Sequence, residues 1–194
     1  MTQRSFVLFA LVAGCGGAAC PPAETAASSS LREPTQAPES LQVEITSLDS
    51  DGRIPMAHVF NGFGCTGENR SPAITWSGAP EGTQSYALIM HDPDAPTGVG
   101  FFHWIVTDIP ASTTSLEEGA ALPEGTHQLY TDFGANGYGG PCPPPGAPHR
   151  YEVTIYALDV PSLGAPDGGT GALARFMLAG HTLAIGRASG TFGR

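Results

Sequence analysis

The chain has no lysine. Its eight cations are all arginine, set against 18 aspartates and glutamates, for a net charge of −10 over 194 residues. A lysine-free acidic chain offers no electrostatic footprint for nucleic acid, and it cannot build a phosphate-binding P-loop, whose lysine reaches the phosphates. Charged residues are sparse at 13%. The one long apolar run, Phe6 to Gly14, is too short to span a bilayer. None of the six histidines forms His-x-His or His-Glu-x-x-His, so the metal signal is weak. A Gly-x-Ser-x-Gly nucleophile elbow is missing as well.

What is present points to a turn-rich β protein behind an export signal. Hydrophobic residues make up 41%, enough for a packed core, and 26 glycines with 18 prolines favour turns over long helices. Arg4 precedes the short apolar run, and Val12-Ala13-Gly14-Cys15 closes it. A positive start, an apolar centre and small residues before the cut form a secretory signal. The cut before a cysteine resembles a bacterial lipobox, with Cys15 as the lipidated mature N-terminus. The alternative is an ordinary signal peptide cut near Ala18-Ala19, leaving Cys20 a plain thiol. Gly16 after Cys15, in place of an acidic residue, points to the outer membrane. We read residues 1–14 as signal peptide and 15–40 as the lipidated N-terminus and tether, because Pro21 to Ser40 lacks the apolar surface that offsets ordering entropy.

Residues 41–194 read as one domain. Gln42 to Leu48 alternates apolar and polar residues, as a half-buried strand does, and Asp49-Ser50-Asp51-Gly52 supplies a turn. Ser85 to Met90, Phe101 to Thr107 and Tyr151 to Leu158 read as further strands. Alternation would place His103 on one face with Phe101 and Ile105. Only Gly171 to Ala179 looks helical, with Thr170 as its cap and Leu173, Phe176 and Met177 recurring at three and four. Many strands, short joins and one late helix predict an antiparallel sandwich or barrel-like fold.

Three segments can carry chemistry. His91-Asp92-Pro93-Asp94-Ala95-Pro96 follows a strand, and its prolines fix where the carboxylates point; a solvated acidic turn is the plain alternative. His103 sits in an apolar strand, where a satisfied core histidine is the commoner case. Gly137 to Tyr151 is a Gly/Pro loop that delivers His149 and Tyr151 to a strand start, and glycine amides in such loops can approach an anion closely. Cys142 with His149 could instead form a thiol dyad.

His-Asp-Pro-Asp-Ala-Pro, Phe-His-Trp-Ile-Val, Gly-Pro-Cys-Pro-Pro and His-Arg-Tyr occur here in the order and spacing of the phosphatidylethanolamine-binding protein family. Asn69 to Trp76 also resembles it. The pattern is most similar to the bacterial branch often labelled Raf kinase inhibitor-like, and runs from about Val43 to the C-terminus. The resemblance implies a mostly β, antiparallel two-sheet fold with one or two short helices and a small surface pocket for phosphate-type anions or phospholipid head groups. It carries over Asp92, His103, His149 and Tyr151 as ligand-binding residues, Pro143 as pocket wall, and Asp94 and Pro96 as parts of the loop motif. It implies a cis Ala95–Pro96 bond, no cofactor, no catalytic residue and no metal.

For an exported chain it also implies a Cys65–Cys142 disulfide, leaving Cys20 unpaired. Binding is then expected to tighten as His103 and His149 protonate on acidification, while His127 lies outside the motifs. Pro144-Pro145 replaces a more flexible, often basic residue of many bacterial relatives. The sequence stops at Arg194 without the C-terminal helix that flanks the pocket in eukaryotic members, so kinase inhibition does not carry over. The expected protein is a binding module and not an enzyme, held in the cell envelope by a lipid, on the periplasmic face of the outer membrane or the cell surface. An inhibitor or interaction module acting on an envelope protein is the alternative.

Overall fold

A computed structural model describes residues 39–194; the signal segment, Cys15, Cys20 and nearly all of the tether lie outside the described residues. The strands are β1 (Glu39–Ser40), β2 (Gln42–Ile45), β3 (Asn61–Gly62), β4 (Cys65–Thr66), β5 (Ile74–Ser77) and β6 (Ser85–Asp92). They continue with β7 (Phe101–Pro110), β8 (Ser115–Leu116), β9 (His127–Gln128) and β10 (His149–Leu158). Helix α1 (Gly171–Leu178) precedes β11 (Thr182–Phe192), and a single 3-10 turn covers Met56–His58. The main sheet runs β1-β11-β10-β6-β7-β9; a smaller one runs β2-β5-β8, and β3 pairs only with β4. The two-sheet, mostly β expectation holds. Among the described residues the strands pair antiparallel except for the short β1, which lies parallel to β11, and Arg53 adds a lone parallel bridge to Thr191.

Both faces of the main sheet are covered, which explains why its central strands read as near-continuous apolar runs. On β6, Leu88 and Met90 join one core cluster with Trp104, Tyr151 and Ile155, together with Ile74 and Trp76 from the smaller sheet. Ala87 and Ile89 join the other, with Leu129, Leu158 and the helix residues Ala174 and Leu178. Each large aliphatic chain buried this way contributes about 1.5–3 kcal/mol.

Helix α1 occurs where expected, and the Thr170 hydroxyl caps it by accepting from the Leu173 amide at 3.4 Å. Its buried stripe differs from the expected one: Gly171, Ala174 and Leu178 face the sheet, while Phe176 is 79% exposed. Small residues are needed where the helix approaches closely, since a Cβ on Gly171 would collide with the Phe102 ring.

Strand β11 has no obvious sequence signature because its inward positions are small. A Cβ on Gly186 would strike the Leu41 carbonyl and Val43, and one on Gly190 would strike Leu48 and Ile54. The chain around β2 lies across this strand, and only glycine permits that approach.

Strand β7 bends the simple alternation. His91 pairs with Phe102 and Met90 with Trp104, so His103 has no partner on β6. This bulge reverses the facing of the residues beyond it. Phe102 and Ile105 share one cluster while Trp104 and Val106 lie in the other. His103 therefore does not share a face with Ile105, as strict alternation implied. It stands beside Phe101, with ring centroids 5.2 Å apart.

Candidate functional site

The end of β6 lies between the starts of β7 and β10 in the antiparallel order, with Asp92 opposite Phe101 and His91 opposite Glu152. That arrangement delivers Asp92, His103, His149 and Tyr151 from three strands to one pocket, which also takes Pro96 and Pro143 into its lining. Its space is about 170 Å³, below the few hundred Å³ of drug-sized sites. Asp94 does not line it. Its carboxylate accepts from the Arg150 amide at 2.8 Å and pairs with that guanidinium at 3.3 Å, fastening the loop to β10. The Arg150 amide is the main reason the Asp94 carboxyl lies below the usual aspartate range.

His149 Nδ1 lies 2.7 Å from Asp92 Oδ2. The carboxylate can only accept, so the proton sits on Nδ1. Asp92 Oδ1 accepts from the Asp94 amide at 2.9 Å. His103 Nδ1 donates to the Gly139 carbonyl at 2.7 Å, and the neutral ring keeps a bare Nε2. Burial pushes the His103 pKa down to about 4, outweighing the Gly139 hydrogen bond and the Asp92 charge. His103 is thus neutral across the range in which the sequence led us to expect protonation, because desolvation wins. The Tyr151 hydroxyl is fully buried and has no hydrogen bond of good geometry to the protein. Desolvation first, and then the Asp92 charge, raise its pKa, so it keeps its proton.

The remaining walls are aromatic. Phe63, Phe101 and Phe133 line the pocket, with Phe101 edge-on to Phe133 at 5.0 Å and Phe63 stacked on it at 5.8 Å. Sequence reasoning missed all three as site residues: Phe63 and Phe133 are lone loop phenylalanines that carry no motif, and Phe101 read only as the start of an apolar strand. The Gly/Pro loop also works differently from expectation. The Gly139 amide donates to the His103 carbonyl at 2.9 Å and the Gly140 amide to Asn69 Oδ1 at 2.8 Å. These amides are committed inside the protein and do not face an anion. Asn69 pins the loop a second time by donating to the Tyr138 carbonyl at 3.3 Å. A Cβ at position 140 would collide with the His58 carbonyl.

Cys65 and Cys142 form a disulfide, as implied, across 77 residues of sequence. It ties the β3–β4 hairpin to the Pro-rich wall and excludes the thiol-dyad reading of Cys142. Ala95–Pro96 corrects a second expectation: no peptide bond among the described residues is cis. The Thr97 amide instead donates to the Ala95 carbonyl at 2.8 Å. This three-residue turn suits the fixed φ of a trans proline at its centre.

The pocket geometry coincides with a family match. The model for "Phosphatidylethanolamine-binding protein" matches residues 44–193. The chain belongs to that family. It is 43% identical over 152 residues to the UPF0098 protein YbcL of Escherichia coli, covering 75% of this chain and 83% of YbcL. It is 35% identical over 199 residues to the "Putative lipoprotein LppC" of Mycobacterium tuberculosis, covering 99% of this chain and 94% of LppC. The crystal structure of YbcL superposes with a TM-score of 0.76 at 40% identity, covering 80% of this chain and 99% of YbcL. The family homologue CT736 of Chlamydia trachomatis gives 0.70 at 31% identity, covering 80% of this chain and 98% of CT736. Among the described residues no three His, Cys, Asp or Glu converge as metal ligands. No described helix is long and apolar enough to cross a membrane.

Proposed function

We propose that this pocket binds the phosphate-bearing head group of a small molecule or lipid, and that the protein is an envelope lipoprotein of the Raf kinase inhibitor-like branch, anchored through Cys15. The single observation that carries the reading is the convergence of Asp92, His103, His149 and Tyr151 from three strands on one pocket of head-group size, in a chain of this family. The anchor reading rests on the lipobox and on the likeness to LppC across nearly the whole chain. In this reading the segment between Cys15 and β1 links the lipid to the domain. The pocket residues act by binding and orienting; no bond-making step is assigned to them.

Calorimetry with phosphoethanolamine tests the pocket. His149→Ala removes one ligand contact and frees Asp92 from its partner, and affinity should fall about ten- to a hundred-fold. His127→Ala should leave it unchanged, because that ring pairs with Asp167 at the surface, away from the pocket. Equal affinities for wild type and His149→Ala would refute the assignment. Palmitate labelling tests the anchor: Cys15→Ala should abolish incorporation, and equal labelling of both proteins would refute it.

A further inference from the structure

The pocket is rich in acceptors and poor in donors. Neither a lysine nor an arginine lines it, and its carboxylate is Asp92. His103 and His149 both direct Nδ1–H into the protein, to the Gly139 carbonyl and to Asp92, so the neutral tautomer of either ring has its lone pair at Nε2. The Thr97 hydroxyl donates to the Gly100 carbonyl at 2.5 Å. Pro143 and Pro144 have no N–H to give, and the neighbouring Gly139 and Gly140 amides are committed elsewhere. Among the lining side chains, the one hydroxyl without a well-formed hydrogen bond to the protein is that of Tyr151, and its near neighbour is the Asp92 carboxylate. A fully ionised phosphate has only acceptor oxygens. Here it would meet the Tyr151 hydroxyl, two imidazole rings whose Nδ1–H groups are already committed, and a carboxylate.

We infer that the pocket selects phosphate groups that bring their own proton, taking a hydrogen-phosphate monoester in preference to a dianion or a diester. The inference rests on the head-group reading and names the chemical form of the ligand. One P–OH donates to Asp92 or to an Nε2, as a short charge-assisted bond in the first case. The Tyr151 hydroxyl donates to another phosphate oxygen. Halving the phosphate charge also reduces its repulsion from Asp92 in a low-dielectric site. The charged and titratable groups around the bound phosphate are Asp92 at the end of β6, His103 on β7, and His149 and Tyr151 on β10. Beyond them lie His91 on β6, Glu152 on β10, the Asp94–Arg150 pair, and Arg194, whose Nε donates to the Pro143 carbonyl at 2.6 Å. On this account intact phospholipids, which are diesters, are weaker ligands than free monoesters.

The source of the proton can be read directly. Affinity is measured by calorimetry against pH for phosphoethanolamine, whose second ionisation lies near ~6, and for an alkylphosphonate, whose second ionisation lies higher. Affinity should fall as pH rises, and the midpoint of the fall should move up with the ligand's own ionisation. Glycerophosphoethanolamine, the diester, should bind at least about tenfold more weakly below the midpoint, and Tyr151→Phe should weaken phosphoethanolamine about tenfold. Identical midpoints for the two ligands would place the proton on His149 and overturn the inference. A diester that binds as tightly as the monoester would also overturn it. Failure of all three ligands to bind at any pH would instead remove the head-group reading itself.

Discussion

The floor and the wall of the pocket are made in different ways. The floor residues Asp92, His103, His149 and Tyr151 stand on β6, β7 and β10, whose registers are fixed over many residues by two core clusters. The wall comes mostly from loops, namely the β3–β4 hairpin, residues 142–144 and Phe133, joined by Phe101 at the head of β7. The hairpin belongs to neither large sheet; the Phe60 amide donates to the Pro141 carbonyl, and the disulfide fixes the rest. Chemistry thus sits on the rigid part and shape on the part held by a few long-range links.

The disulfide is the sharpest test of that division. Replacing Cys65 and Cys142 together by alanine reopens a 77-residue loop, which in the chain-entropy account costs about 4 kcal/mol of stability. The loss should show as a lowered denaturation midpoint. In native-state hydrogen exchange, local protection should fall first at the hairpin and the 137–145 loop, with β6 and β10 following only the global change. Selective loss in β6 would show that floor and wall are not separable.

Acid acts on the floor. The folded pKa of His103 is about 4, against 6.5 for the free group, so between these values the unfolded chain binds more protons and stability falls as pH falls. The full shift corresponds to about 3 kcal/mol. Burial lowers His91 as well, in the same direction. Thermal unfolding should therefore drop between pH 6.5 and 4, and His103→Gln should flatten that slope. A slope unchanged in the variant would assign the acid sensitivity elsewhere.

Phe63 tests the wall from the other side. Its ring is 67% exposed, so Phe63→Ala should change stability by less than about 1 kcal/mol while reducing phosphoethanolamine affinity several-fold. A large stability loss without an affinity change would reverse the assignment. The smallest effect is expected at Arg150, whose guanidinium is exposed. Arg150→Ala should leave the unfolding midpoint nearly unchanged, since the amide bond to Asp94 remains.

The same division governs what could be read without coordinates. The floor was legible because its residues lie in short contiguous motifs on strands with strong apolar patterns, and strand pairing brings those motifs together. Phe63 and Phe133 were not, because they reach the pocket through long-range loop packing that leaves no periodic trace. Strand β11 escaped for a related reason: Gly186 and Gly190 are there to let other chain segments cross, and the resulting pattern of small residues does not read as a strand. The protonation behaviour of His103 depended on how deeply it is buried, which neighbouring sequence does not give. The helix cap and the turn at Gly52 were legible because local chemistry decides them.

The bulge at His103 has a further meaning when the strand is considered as text. Strike out this one residue and the first half of β7, as far as Val106, alternates regularly: Phe102 and Ile105 keep one face, Trp104 and Val106 the other, before a second irregularity at Asp108. His103 is, in effect, a letter inserted into a sentence already grammatical without it. A chain lacking His103 should still fold into this sheet and lose the pocket's chemistry. At this position a single codon separates the bare scaffold from one of the two histidines of the pocket.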